Sequence, residues 1–183
     1  KAFEVWVAIQ KLHLPQEKLG SRFYSITSCL IKVKGGEETS LVPSKCDIYL
    51  DIRVPPQFTS QQVFDEVAKI IKQYPTANPK VLVRVKMEDL IDPFEVDKRS
   101  PLIQAVSWAI RKVRYKPATI LRKTGTGDMN VLGSAVKIPI VTYGPGDSSL
   151  EHTQNENIDI QEYLDSIQVY REAIIKLLEL HEN

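Results

Sequence analysis

The sequence predicts an α/β chain, with a ferredoxin-like α+β domain over residues 1–90 and an α/β segment over residues 91–183. Three observations lead there. Residues 45–54 and 81–87 alternate apolar and polar side chains, the period of a half-buried strand. Residues 60–74 and 159–178 carry apolar side chains at helical intervals. Two short β-like runs, 118–122 and 138–142, bracket a helical stretch, as in a crossover between parallel strands.

Each element has its own signal. Residues 1–14 place Phe3, Trp6, Val7 and Ile9 at helical spacing and stop at Pro15. This pattern opens directly on Lys1, so the chain is expected to be part of a longer protein. Residues 22–34 are rich in β-branched and aromatic types, but Tyr24 and Ile26 share one parity while Cys29, Ile31 and Val33 share the other. A bulge between the two sets reconciles them, and Gly35-Gly36 ends the run. In 45–54, Cys46, Ile48, Leu50, Ile52 and Val54 face one way, which predicts buried thiols at Cys29 and Cys46. The 60–74 helix begins at a Thr59/Gln62 capping box and is expected to stop at Pro75. Helix, strand, strand, helix, strand is the order of a βαββαβ sandwich without its first strand. The acidic, proline-broken stretch 87–101 reads as a linker. Ser100-Pro101 then opens a helix with Leu102, Ile103, Val106, Ile110 and Val113 on one side. A short helix covers about 128–135, and the last one starts near Asp159 with Glu162 as its box partner.

Composition narrows the function classes. The chain has 183 residues, 24 Lys+Arg against 23 Asp+Glu and a net charge of +1, which gives no field to hold a nucleic acid. No apolar run approaches the roughly 20 residues of a membrane-spanning helix. Two cysteines are too few for a disulfide framework, so a cytoplasmic chain is expected.

If the two β-like runs pair in parallel, the loops after them, 123–130 (KTGTGDMN) and 143–158 (YGPGDSSLEHTQNENI), leave the same sheet edge, where ligands bind in open α/β sheets. In the first loop, Gly125 and Gly127 let backbone approach a ligand, and the helix start suits a carboxylate or oxyanion. The same string also suits a tight turn capped by Asp128. In the second loop, His152 is a good zinc donor and Glu156 a residue to orient the loop, or His152 is simply a solvated histidine. A metal site needs three or more ligands. His13 and His181 belong to no spaced set with His152. No GxSxG, Walker or HExxH motif is present.

The string TGTGDMN, then PIVTYGPGDSSLEHTQNENIDIQEYLDSIQVYREAI, resembles the closing segment of the zinc amidohydrolases that include acetylornithine deacetylase, succinyl-diaminopimelate desuccinylase, aminoacylase and glutamate carboxypeptidases. SLVPSKCDIYLDIRVPP is similar to the hairpin of the family's inserted lid, or dimerisation, domain. RKTGTGDMN looks most like the branch that frees lysine or ornithine from an acetyl group or an amino-group carrier protein, in lysine and arginine biosynthesis. The resemblance implies that residues 91–183 are the C-terminal part of a zinc-peptidase catalytic domain. It implies two divalent metal ions, zinc or cobalt, and a homodimer formed through the lid. His152 matches the last metal ligand, and Arg53 the lid arginine that reaches the substrate carboxylate. Arg53 on its own also suits a pairing with Asp51 or Asp47. Gly125 and Thr126 match the substrate-side loop, and Asp128, Asn155 and Glu156 are supporting positions. Ser40 stands where the family often has Asn, and reaches less far. In the family a metal-held water attacks the amide carbon, a glutamate moves the proton and a lid histidine steadies the oxyanion. The motifs for those roles are not among these residues, so no catalytic residue is assigned and the chain alone is expected to be inactive. The other expectation is a non-catalytic binding or oligomerisation module with a hydrolase-like fold.

Overall fold

A computed structural model describes residues 1–15, 20–37, 40–77 and 80–181. The chain is mixed α/β and divides into two compact units. Residues 1–94 and 122–131 form the first, and residues 95–121 and 132–183 the second.

In the first unit, α1 (Ala2–Gln10) buries Val5 and Ile9. The expected stripe is off by part of a turn, because Phe3 and Val7 lie on the exposed side. β1 (Thr27–Gly35) pairs antiparallel with β2 (Cys46–Arg53). Residues 22–24 form a short 3₁₀ turn rather than strand. The bulge exists, but at Ile31, between the Leu30↔Leu50 and Lys32↔Tyr49 pairs. Ser28 and Leu30 therefore oppose Ile52 and Leu50, and after the bulge Val33 opposes Ile48. Leu30 and Val33 thus share a face three residues apart, which strict alternation forbids. Cys29 falls opposite Asp51 on the other face and is exposed. Cys46 shares its parity with Leu50 and Ile52 but sits at the strand end and is exposed as well. The expectation of buried thiols is corrected on both counts.

α2 (Ser60–Ala77) lays Val67 and Ile71 against Val5 and Ile9 of α1, with Leu50, Ile52 and Val83 packed around them. The Thr59/Gln62 box forms in both directions, Thr59 N–H to Gln62 Oε1 at 2.8 Å and Gln62 N–H to Thr59 Oγ1 at 3.2 Å. The helix runs two residues past Pro75 rather than stopping there. The hydroxyl of Tyr74 donates to Glu4 Oε2 of α1 at 2.6 Å, and that bond pushes the phenol up to about 12. Residues 81–87 are not a strand. Val81, Val83 and Met87 keep their alternate burial, but a strand is defined by its ladder, and the one sheet described has only β1 and β2.

The expected linker has a structural task. Asp92 Oδ1 accepts from the Ser60 amide at 2.8 Å and from the Ser60 hydroxyl at 2.6 Å. It thereby takes up a donor that the start of α2 leaves open. Asp92 also fixes the next loop, because its carbonyl accepts from Asn130 Nδ2 at 3.3 Å.

In the second unit, α3 (Pro101–Arg114) starts as expected, with Ser100 Oγ accepting from Ile103 N–H. It packs on α5 (Ile160–His181) through Ala109, Val169 and Ala173, the first two of which are fully buried. Two alanines at the crossing let the helix axes approach closely. α4 (Asp128–Val136) lies where the sequence places it. The expected strands at 118–122 and 138–142 are corrected: neither is hydrogen-bonded as a strand. Ile120, Leu121 and Ile138 are exposed, as are Ile160, Leu164, Ile167 and Ile174 along α5. An apolar β-like run makes no ladder without a partner, so the parallel-strand premise for the two loops has no support in these segments.

Two outcomes check this description. The Ser60 hydroxyl and amide hold the Asp92 carboxyl below the usual aspartate range. A depressed folded pKa stabilises above the unfolded value and is lost as pH falls through the folded one. Asp92→Asn should therefore cost about 0.5–1 kcal/mol at pH 7, small because Asp92 faces solvent. The difference from wild type should close below about pH 4, and denaturant titrations at both pH values read it. Secondly, both thiols should react with Ellman's reagent in the native chain as fast as in urea. Protection of either one would contradict the bulge position or the exposed strand end.

Candidate functional site

The residues singled out by the sequence fall in both units, and each set has its own construction. In the first unit, Arg53 ends β2, on the face opposite Leu50 and Ile52. Its Nη2 lies 2.6 Å from Asp51 Oδ2, and its Nη1 lies 3.4 Å from Thr126 Oγ1. Of the two expectations for Arg53, the pairing with Asp51 forms, and the side chain also meets Thr126 of the TGTG loop. Asp51 holds one side of the guanidinium fork, and the remaining N–H groups have the planar geometry that suits a carboxylate.

The loop carrying Thr126 is fixed at its helical end. The Gly127 amide donates to Asn130 Oδ1 at 3.1 Å, and Asn130 is buried. A side chain in the first turn thus turns back to the residue before the helix, the half of a capping box that Gln or Glu more often supplies. Asp128 opens α4 as its first-turn acid. A side chain built on Gly125 or Gly127 would meet nothing within 4 Å. Ser40 is exposed, in the connection between β1 and β2, which Ser44 and Glu37 tie together by a 3.0 Å hydrogen bond.

In the second unit, His152 is exposed and has φ of 63°, the left-handed region that residues other than glycine seldom adopt. Its amide donates to Glu156 Oε2 at 3.0 Å, so Glu156 orients this loop through the backbone. Around it, Thr153 N–H and Oγ1 both donate to the Leu150 carbonyl, and Glu156 N–H donates to that of Thr153. The Asn155 carbonyl accepts from Asn157 Nδ2 at 2.7 Å. Asp147 accepts from the Ser149 amide at 2.8 Å, which holds its carboxyl below the usual range. Hydrogen bonds of residues 152–156 thus hold the left-handed backbone at His152 in place.

Sequence reasoning missed the base of this loop. Asp159 caps α5 as expected, accepting from Glu162 N–H at 2.8 Å. The Glu162 carboxylate does not return to the cap. One oxygen takes Arg114 of α3, and the other takes the Gly146 amide at 3.2 Å. Tyr170 donates its hydroxyl to the Tyr143 carbonyl, and the two rings meet edge to face with centroids 5.5 Å apart. Burial pushes the Tyr143 phenol up, while the nearby Arg114 charge pulls it back. An acid in the first turn of a helix signals a cap, and nothing in the sequence signals that its carboxylate reaches elsewhere.

Among the described residues, no three His, Cys, Asp or Glu side chains gather into a group able to hold a metal ion. The metal pair that the resemblance implies therefore does not fit a complete donor set here. His152 has the right chemistry for a single donor.

The model of Peptidase family M20/M25/M40 matches residues 9–176. The chain belongs to this peptidase family. Among curated relatives, a LysW-lysine/LysW-ornithine hydrolase of Sulfurisphaera tokodaii is 37% identical over 167 residues, covering 91% of this chain and 44% of that protein. Of solved structures, the M20 family metallo-carboxypeptidase Sso-CP2 from Sulfolobus solfataricus has a TM-score of 0.65 at 18% identity, over 97% of this chain and 42% of that one. Human carnosine dipeptidase 1 has a TM-score of 0.66 at 15% identity, over 98% of this chain and 43% of that one. At these identities the structures bear on the fold alone, and they bear out an α/β chain of the M20 kind. This M20 chain spans less than half the length of the curated relatives it matches. No helix among the described residues is long and apolar enough to cross a membrane.

The left-handed backbone gives a direct test of the M20 loop. Glycine adopts this φ freely, whereas other residues lose about 1–2 kcal/mol there. His152→Gly should thus leave the fold intact and stabilise the native state by about 0.5–1 kcal/mol net of the added unfolded-state freedom, read as a higher denaturant midpoint. A lower midpoint would mean that the imidazole itself holds the loop.

Proposed function

We propose that this chain is the lid and the closing catalytic portion of a metal-dependent amide hydrolase that releases lysine or ornithine from an N-acylated or carrier-protein-linked form. Residues 1–90 serve as the lid, through which two copies pair, and residues 91–183 belong to the catalytic domain. In the completed protein, zinc or cobalt would supply the activated water, in the cytoplasm, for lysine or arginine biosynthesis. His152 contributes one metal ligand, with Glu156 and Asn155 supporting its loop. Arg53 grips the carboxylate of the released amino acid, beside Gly125 and Thr126, with Asp128 and Ser40 in supporting positions.

The observation that carries this reading is the 3.4 Å approach of Arg53 to Thr126. Two substrate-side assignments made from separate motifs, 73 residues apart, meet in one unit. The hydrolase activity for which the Sulfurisphaera tokodaii relative is named supports the substrate class. That no metal-holding group forms around His152 among the described residues is in keeping with a chain inactive alone.

Incubating the pure chain with acetyl-lysine or acetyl-ornithine and added zinc or cobalt should give no turnover, and robust hydrolysis would refute the division of labour. Once the remaining length found in the relatives is supplied, turnover should appear and His152→Ala should abolish it. In that protein Arg53→Lys should raise KM at least ~5-fold and change kcat less, because a bidentate clamp becomes a point charge. An unchanged KM removes Arg53 from the substrate site. A supplied half that restores neither metal binding nor turnover favours a non-catalytic module.

A further inference from the structure

The loop that carries His152 is built to be held from its base. Gly146 adopts φ of 97°, and a Cβ added to it would stand 3.7 Å from the Asn157 carbonyl oxygen. The two ends of segment 147–156 therefore meet, which makes it a compact Ω-type loop with His152 near its tip. The chain entering that loop is fastened to α5 at two points. Tyr170 holds the Tyr143 carbonyl, and Glu162 holds the Gly146 amide. The second oxygen of Glu162 is bound by Arg114 of α3. Both partners are about three-quarters covered, at 28% and 24% exposed, so water competes weakly for the pair. Behind them α3 and α5 lock together through Ala109, Val169 and Ala173. The loop base is thus fastened to the buried α3–α5 packing of its unit.

Glu162 could have closed the cap of its own helix, since it stands three residues after Asp159. Both of its oxygens are used elsewhere. We propose that Glu162, together with Arg114, is a positioning residue for the His152 loop: it fixes the Gly146 amide to the α3–α5 pair and so sets where the imidazole stands. This deepens the hydrolase reading above and rests on it for the purpose of that imidazole. Glu162 touches neither substrate nor metal; it acts through Gly146.

Amide exchange on the 183-residue chain separates this role from ordinary stability. Glu162→Ala should speed exchange at Gly146 tenfold or more and loosen residues 147–153, with the Ala109 and Val169 amides within twofold of wild type. Glu162→Gln keeps an acceptor for Gly146 and should stay within threefold of wild type there. Arg114→Lys, the milder change should Glu162→Ala unfold the unit, should speed Gly146 several-fold. In the hydrolase completed as above, Glu162→Ala should lower kcat at least tenfold with KM within twofold, and Glu162→Gln should recover most of it. An unchanged Gly146 amide, or equal loss of protection in α3 and α5, overturns the positioning role. Intact turnover in His152→Ala instead overturns the functional reading, and with it the purpose of the loop.

Discussion

The amides that a helix leaves unbonded in its first turn must find acceptors, and here the groups that answer them also hold the loops in place. Asp92 answers Ser60 and so ties segment 87–94 to the start of α2. Asn130 answers Gly127 and is held in turn by the Asp92 carbonyl. Ser100 and Asp159 answer their own helices. The loop residues of interest are thus extensions of helix ends, and their order comes from donors that had to be paired in any case.

How much of this was legible follows from range. Signals confined to a few neighbouring residues read well. The Thr59/Gln62 box, the Ser100-Pro101 start, the Asp159 cap and the second strand of the hairpin lie within a residue or two of where the pattern puts them, whereas the first strand starts five residues later than its composition suggests. Features set by a distant partner did not read. Residues 81–87, 118–122 and 138–142 have strand-like composition, but a ladder depends on a neighbour that periodicity cannot supply. Asp92 looked like one acid among several in a proline-broken stretch, and only the fold brings Ser60 to it. Glu162 was read as a local partner because its spacing from Asp159 is right; its real partners are Arg114 and Gly146.

The candidate site divides along the same line. Residue types alone were enough to single out His152 and Glu156, while Arg53 and Thr126 were singled out by the family resemblance. What each one touches was not readable: that Asp51 occupies one edge of the Arg53 fork, or that Glu156 works on the backbone of His152 rather than on its ring. The left-handed φ at His152 also has no sequence signature, since a glycine would have announced it and a histidine does not.

The unpaired residue at Ile31 has a consequence for the whole hairpin. Because it inserts one position into β1 alone, Ser28 and Leu30 turn toward α1 and α2 while Thr27 and Cys29 turn away. A ribbon shortened by that one residue would reverse the near half, trading an inward leucine for a sulfur and sending the leucine into water. Length at a single point in the strand, more than the identity of any side chain in it, decides which surface the first unit shows.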